Sequence, residues 1–188
     1  MMRLSRWRLL LLSGLLMLGV QVAMAAQNCS KYYECYDFEE EPTESWKELK
    51  GKMPGAPDPD KLIPFEVSVA NANRFYIDPA SVSVGKDNVV RYTVVIESSG
   101  GARTVNYEGL RCDTRERRLY AFGQPDGTWI ESQGSSWIAV HKQEHKMHNG
   151  YPAVLFDEYF CIDRIPVASP EVAIDALSRG SAATSGRR

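Results

Sequence analysis

The sequence is poor in the residue patterns that carry catalysis. It has three histidines in 188 residues and contains no Gly-x-Ser-x-Gly, His-Glu-x-x-His or Cys-x-x-Cys motif. Those patterns mark serine hydrolases, zinc proteases and thiol redox sites. Asp157 and Glu158 are adjacent and would point to different faces of a helix, so they do not form an acid–base pair. We therefore predict that the protein is not an enzyme and holds no cofactor.

A surplus of basic residues is also missing. The whole chain has 22 Lys and Arg against 24 Asp and Glu, a net charge of −2. Without residues 1–25, which contain three arginines and no acid, 19 basic residues face 24 acidic ones and the charge is −5. Nucleic acids and anionic lipids attract basic surfaces, so we expect no nucleic-acid partner.

Long apolar runs are absent except at the start of the chain. Arg3, Arg6 and Arg8 precede an apolar run over residues 9–24, and Ala23-Met24-Ala25 supplies small residues for cleavage. This order is typical of a secretory signal peptide, and the run is short for a membrane span, which needs about 20 residues. An uncleaved anchor is the alternative. We predict a signal peptide over residues 1–25, a periplasmic or secreted protein, and no membrane span after cleavage.

The four cysteines all follow the predicted cleavage site. An even number in an oxidising compartment favours disulfide bonds, and four cysteines allow three pairings. Cys29 and Cys35 are close in sequence and precede the predicted core, whereas Cys112 and Cys161 end regular segments within it. We therefore expect the pairs Cys29–Cys35 and Cys112–Cys161.

Composition divides the mature chain into three parts. Residues 26–61 are acidic and then rich in Pro and Gly, which predicts a linker, with a possible short helix at Trp46 capped by Ser45. Residues 62–167 hold the alternating patterns and form a single disulfide-bonded, β-rich domain. Residues 168–188 offer little to bury and are predicted to be a disordered tail.

Short alternating segments separated by turn formers predict about six antiparallel strands in a meander. The alternation is clearest over residues 89–98, where Val90, Tyr92 and Val94 share one face and Arg91 and Thr93 the other. A helix is expected after Asn149-Gly150. The predicted fold class is α+β, mainly antiparallel sheet with one or two short helices.

One strand contains a change of phase. Val105 and Tyr107 alternate on one face, but Leu110 and Cys112 fall on the opposite one. Gly109 lies between the two pairs, so we predict a β-bulge there that shifts the alternation.

An ordered set of segments resembles the cryptic neisserial protein-like family, whose members are uncharacterised envelope proteins. The segments are NRFYIDPASV at residues 73–82, VVRYT at 89–93, YEGLRC at 107–112, YAFG at 120–123, DGTW at 126–129 and EYFC at 158–161. The resemblance covers roughly residues 38–166. It implies the fold, export and the Cys112–Cys161 disulfide, and it supplies no catalytic residue.

The three histidines, His141, His145 and His148, are clustered. At helical spacing they would share one face and bind zinc or copper. Lys142 and Lys146 add positive charge beside such a cation, and a solvated polar loop is the alternative interpretation.

Aromatic residues suggest a contact surface. The chain has nine tyrosines, and Trp129 and Trp137 lie near predicted strands, where they either pack against the sheet or contact a protein or glycan. An exposed sheet edge would also accept a partner strand. We predict an exported envelope protein that acts as a non-catalytic interaction module with an envelope protein or glycan partner. The alternative is a periplasmic zinc- or copper-binding protein that uses the histidine cluster.

Overall fold

The computed structural model describes residues 45–68, 72–147 and 150–180, without the side chains of residues 145 and 146. The predicted signal peptide lies outside these ranges. The described residues belong to one compact unit. Its strands are β1 (Ile63–Phe65), β2 (Arg74–Val84), β3 (Val89–Glu97), β4 (Arg103–Arg111), β5 (Glu116–Gly123), β6 (Trp129–Glu131), β7 (Ile138–Ala139), β8 (Cys161–Ile162) and β9 (Ile165–Pro166). The helices are α1 (Tyr151–Val154), which continues as a π-helical segment over Leu155–Phe160, and α2 (Pro170–Arg179), with 3₁₀ turns at Pro59–Lys61 and Lys142–Lys146.

The main sheet is an antiparallel meander. Its strand order is β1-β2-β3-β4-β5-β6, and β7 also pairs with β5. Strands β8 and β9 form a separate two-stranded hairpin. The predicted α+β class is confirmed. Among the described residues, no helix has the length and apolar character needed to cross a membrane.

Strand β2 runs without a break through Asp78-Pro79, a pair of residue types that is common in turns. Its pairing with β3 shifts between Asp78 and Ser83. At this irregularity Ser81 Oγ donates to the Asp78 carbonyl at 2.7 Å and accepts the Thr93 N–H at 2.7 Å. Because a side chain replaces the missing ladder bonds, the strand continues through Asp78-Pro79 instead of ending there.

One face of the sheet carries the hydrophobic core. Val90, Tyr92 and Val94 of β3 lie in it, as their alternation predicts. The opposing layer comes from α1, the π-helical segment and α2, with Tyr151, Leu155, Phe160, Ala173 and Leu177 among the buried residues. Burial of this apolar surface is the main term that stabilises the fold.

The opposite face of the sheet is covered as well. Arg91 and Thr93, expected on a polar face, are 4% and 0% exposed. The cover is formed by residues 45–57, which we call the N-terminal strap. Trp46 Nε1 donates to the Asp87 carbonyl at 2.8 Å, and Trp129 Nε1 donates to the Pro54 carbonyl at 2.9 Å.

The predicted linker over residues 26–61 is therefore wrong for its described part. The strap packs on the sheet, and the expected short helix at Trp46 does not form. Local composition favours a linker because Pro and Gly disfavour regular structure. The strap needs no regular secondary structure, since its backbone carbonyls accept hydrogen bonds from side chains of the sheet.

The β-bulge lies in another strand from the one predicted. Pairing of β3 with β4 is unbroken through Gly109, whereas the β4–β5 register shifts between Tyr107 and Glu108 and leaves Tyr120 as the extra residue of β5. The change of phase in β4 has a different cause. Both faces of β4 are covered, so Tyr107 is buried under the strap while Leu110 is buried in the core.

The predicted disordered tail over residues 168–188 is wrong for residues 170–179, which form α2. Ala173, Ala176 and Leu177 are buried, and Gly180 closes the helix with φ 94°. Alanine side chains offer little apolar area, but they let the helix approach the core closely. Residues 181–188 lie outside the described part of the chain.

Candidate functional site

A cluster of charged and aromatic residues fastens the N-terminal strap to the sheet. At its centre, Glu48 Oε1 accepts the Tyr120 hydroxyl at 2.7 Å, and Oε2 accepts Arg118 Nη1 at 2.7 Å and Trp137 Nε1 at 3.2 Å. Arg91 Nη2 lies 3.9 Å from Oε1. The carboxylate is thus fully engaged by the protein's own donors.

Arg91 is held by a second carboxylate. Its Nη2 and Nη1 donate to Asp87 at 2.6 Å and 3.2 Å, and Nη2 also donates to the Leu49 carbonyl at 2.7 Å. Burial acts to raise the pKa of Asp87, but hydrogen bonds from Arg91 and the Leu49 N–H outweigh it and the pKa is lowered. Asp87 is therefore ionised at neutral pH and neutralises the guanidinium.

Aromatic rings surround this cluster. Trp137 packs edge-on against Trp46 at 5.8 Å between centroids and against Tyr120 at 6.4 Å. Tyr107 contacts both Tyr120 and Trp129. Trp129 and Trp137 therefore pack against the strap and the sheet. Of the two interpretations of these tryptophans, packing against the sheet is the one that the structure supports.

A cleft of about 350 Å³ opens between the strap and strands β3 to β6. Ionisable groups line it, but Glu48 pairs with Arg118 and Arg91 with Asp87. Glu131 has no ion pair among the described residues, and Arg118 Nε is buried without a hydrogen-bond partner. The paired groups leave the cleft nearly neutral.

A second polar cluster is enclosed in the core around Glu108. This residue is fully buried, and its Oε1 accepts the Tyr151 hydroxyl at 2.7 Å and Asn106 Nδ2 at 3.1 Å. Oε2 accepts the Tyr92 hydroxyl at 3.1 Å, and Arg117 Nη1 lies 3.9 Å from Oε1. Burial and then the charge of Glu108 raise the pKa of Tyr92 and of Tyr151, so both remain protonated donors.

Neither Glu48 nor Glu108 was predicted as a site residue. Glu108 shares the phase of Leu110 and Cys112 in β4, which places a carboxylate on the core face and is the available signal. Nothing in the sequence near Glu48 indicates its role, because its hydrogen-bond partners follow it by 70 residues or more. The enclosed Glu108 cluster has no exposed acceptor to offer a ligand.

The predicted histidine site is only partly described. His141 is exposed, its backbone N–H donates to Glu144 Oε1 at 3.2 Å, and a 3₁₀ turn follows it. The side chain of His145 and the whole of His148 lie outside the described residues, so the metal site stays a prediction. Within the part that is described, no group of His, Cys, Asp or Glu is placed to hold a metal ion.

The Cys112–Cys161 disulfide predicted from the sequence is present. The two Cα atoms are 5.6 Å apart, and both residues are buried. The bond joins the end of β4 to β8, directly after the π-helical segment. Cys29 and Cys35 lie outside the described residues, so their pairing stays a prediction.

Together these features define a small α+β protein in which a meander sheet is covered on both faces and most of its clustered charges pair with one another. The chain belongs to the CNP1-like family, whose model matches residues 41–178. The match confirms the resemblance to the cryptic neisserial protein-like family and extends over the strap and most of α2. Neither a curated protein nor a solved structure matches the chain.

Replacing Glu48 by Ala is expected to loosen the strap. Tyr120, Arg118 and Trp137 would lose their acceptor, and for a partly exposed carboxylate we expect about 2 kcal/mol less strap stability. Trypsin sites at Lys47, Lys50 and Lys52 should then open about thirtyfold more often, since 1.4 kcal/mol corresponds to a factor of ten. The rate of tryptic cleavage in the strap measures this.

The matched control is Glu131→Ala. Glu131 lines the same cleft but forms no ion pair among the described residues, so its removal should leave the cleavage rate unchanged. Equal rates for the Glu48 variant and the unmodified protein would contradict the assigned role.

Proposed function

We propose that this protein is exported from the cytosol and acts in the cell envelope as a non-catalytic interaction module. The signal-type start of the chain and its membership of the CNP1-like family support this proposal. The paired charges of Glu48, Arg91 and Arg118 also support it, because groups that neutralise one another are poorly suited to acid–base chemistry.

The observation that carries the proposal is an apolar pair at one margin of the sheet. Phe122 of β5 and Ile130 of β6 lie directly opposite each other and are 40% and 56% exposed. They end a row of paired residues on the core face that runs from Ile77 and Val94 through the polar Asn106. We call this pair the edge patch. Adjacent exposed apolar side chains at a sheet margin are typical of a protein-contact surface.

The two margins of the sheet differ. At the β1 margin Pro64 is the middle residue of a three-residue strand and has no N–H to offer, which blocks strand addition. Strand β6 contains no proline and carries half of the edge patch. We therefore propose a protein partner for this margin in preference to a glycan, since the free edge of a strand can pair with a strand of another protein.

A capture experiment with envelope extract tests the proposal. The bait is the protein purified after export, with its new N-terminus at Ala26 verified by mass spectrometry. Ile130→Asp should abolish capture of a specific envelope protein, because a charge in the patch would be desolvated without a partner. Bound proteins are measured by quantitative mass spectrometry.

Ile138→Asp is the matched control. Ile138 is also 56% exposed, but it lies on β7 opposite Arg117, away from the edge patch. Capture that survives in the Ile138 variant and disappears in the Ile130 variant supports the proposal. Equal capture by all three baits would contradict it.

A further inference from the structure

Strand β6 presents an open hydrogen-bonding edge. Ser132 N–H donates to the Tyr120 carbonyl and Gln124 N–H to the Thr128 carbonyl, so residues 128, 130 and 132 direct their backbone groups to β5. Alternate residues of a strand point their backbone groups to opposite sides. The N–H and C=O groups of Trp129 and Glu131 therefore face away from β5, where no strand of the described residues lies.

This edge is complementary to itself. If two β6 strands pair antiparallel around Ile130, Trp129 of one protomer stands opposite Glu131 of the other. Both residues direct their donors and acceptors outward, so the two pairs would form four backbone hydrogen bonds. Ile130 would face its own copy as the close, non-hydrogen-bonded pair, with Cα atoms about 4.5 Å apart.

Side-chain chemistry favours this register over the one centred on Glu131. A shift that centres the pair on Glu131 would place two carboxylates directly opposite each other, which is destabilising. The register centred on Ile130 uses all three residues of β6. It also joins the two edge patches into one apolar strip of Phe122, Ile130 and their two copies, which continues across the two-fold axis.

We propose that the edge patch binds a second copy of this chain by antiparallel pairing of the two β6 strands. The inference rests on the proposed function, since it names the partner of the same surface. A two-fold pairing of one patch with itself is the commonest symmetry of homo-oligomers. The contact is much smaller than the roughly 800 Å² per partner of a stable complex, so the dimer should dissociate on dilution.

Ile130→Cys tests the geometry. Two Cα atoms about 4.5 Å apart fall within the range that a disulfide spans, about 4.4 to 6.8 Å. Mild oxidation with glutathione of the purified exported protein should give a covalent dimer linked through position 130, located by mass spectrometry. Its yield should increase with protein concentration. Ile130→Lys should remove the concentration dependence of the sedimentation coefficient that the unmodified protein shows.

Ile138→Cys is the control, since the two isoleucines are equally exposed. Severalfold more dimer from the Ile130 variant supports the proposal, and equal or smaller yields overturn it. The capture experiment separates the two proposals. If Ile130→Cys forms no dimer while Ile130→Asp still loses a specific envelope protein, the second copy is excluded and the interaction module stands. If Ile130→Cys forms no dimer and Ile130→Asp captures the envelope protein as well as the unmodified bait does, both proposals fail.

Discussion

Replacing Glu108 by Ala should destabilise the protein by about 4 kcal/mol, because a buried carboxylate leaves several donors unpaired when it is removed. Tyr92 and Tyr151 donate to Glu108 in the buried core, and Asn106 donates to it from a partly buried position. Typical domains have only 5 to 15 kcal/mol of stability, so much of it would be lost. Urea unfolding followed by tryptophan fluorescence measures the change.

Glu108→Gln is the matched variant. Glutamine keeps one carbonyl acceptor of nearly the same shape, and a tyrosine hydroxyl can also accept from its amide. We expect a loss of about 1 to 2 kcal/mol. If the Ala and Gln variants were equally stable, the hydrogen bonds to Glu108 would not be what stabilises this part of the core.

Removal of the Cys112–Cys161 disulfide is the second large effect. The bond closes a loop with a sequence separation of 49, and loop entropy predicts about 4 kcal/mol of stabilisation. The double replacement by Ala suits these two buried positions, because serine hydroxyls would need new partners there. The midpoint of urea unfolding should decrease without loss of secondary structure in circular dichroism.

Reduction with dithiothreitol distinguishes the stability contributed by the Cys112–Cys161 disulfide from any contribution of the other cysteines. The reductant should destabilise the unmodified protein by about as much as the double replacement does. In the double variant, any change in stability that the reductant causes comes from the remaining cysteines, Cys29 and Cys35. A double variant as stable as the oxidised protein would refute the assigned contribution.

The alternation in β3 predicts its core face correctly but misjudges the opposite one. Arg91 and Thr93 are polar by type and nevertheless buried. Asp87 neutralises the charge of Arg91, and the Leu49 carbonyl accepts a hydrogen bond from it. A pattern of residue types reports on the cost of burial and contains no information about partners distant in sequence.

Long-range partners also explain what the sequence does not predict about the candidate site. Glu48 meets Tyr120, 72 residues later, and Glu108 meets Tyr151, 43 residues later. The Cys112–Cys161 disulfide, at a similar separation, is predictable because cysteine has one strongly favoured partner. A carboxylate has many suitable donors in the chain, so type alone does not select among them.

Helix α2 is a further case in which packing outweighs composition. Its buried residues include two alanines, Ala173 and Ala176, whose side chains offer little apolar area to bury. The signals that the sequence does contain for this helix are Pro170 at its start, Gly180 at its end and the helical spacing of Ala173, Ala176 and Leu177.

The attachment of the N-terminal strap has a consequence for how this segment tolerates mutation. The carbonyls of Leu49, Lys52 and Pro54 accept hydrogen bonds from Arg91, Tyr107 and Trp129. Every amino acid supplies a carbonyl, so these three contacts depend on the path of the strap backbone and not on the side chains at positions 49, 52 and 54. Substitutions should therefore be tolerated at Leu49 and Lys52. The strap residues Trp46 and Glu48 should tolerate few, because their side chains form the hydrogen bonds to the sheet.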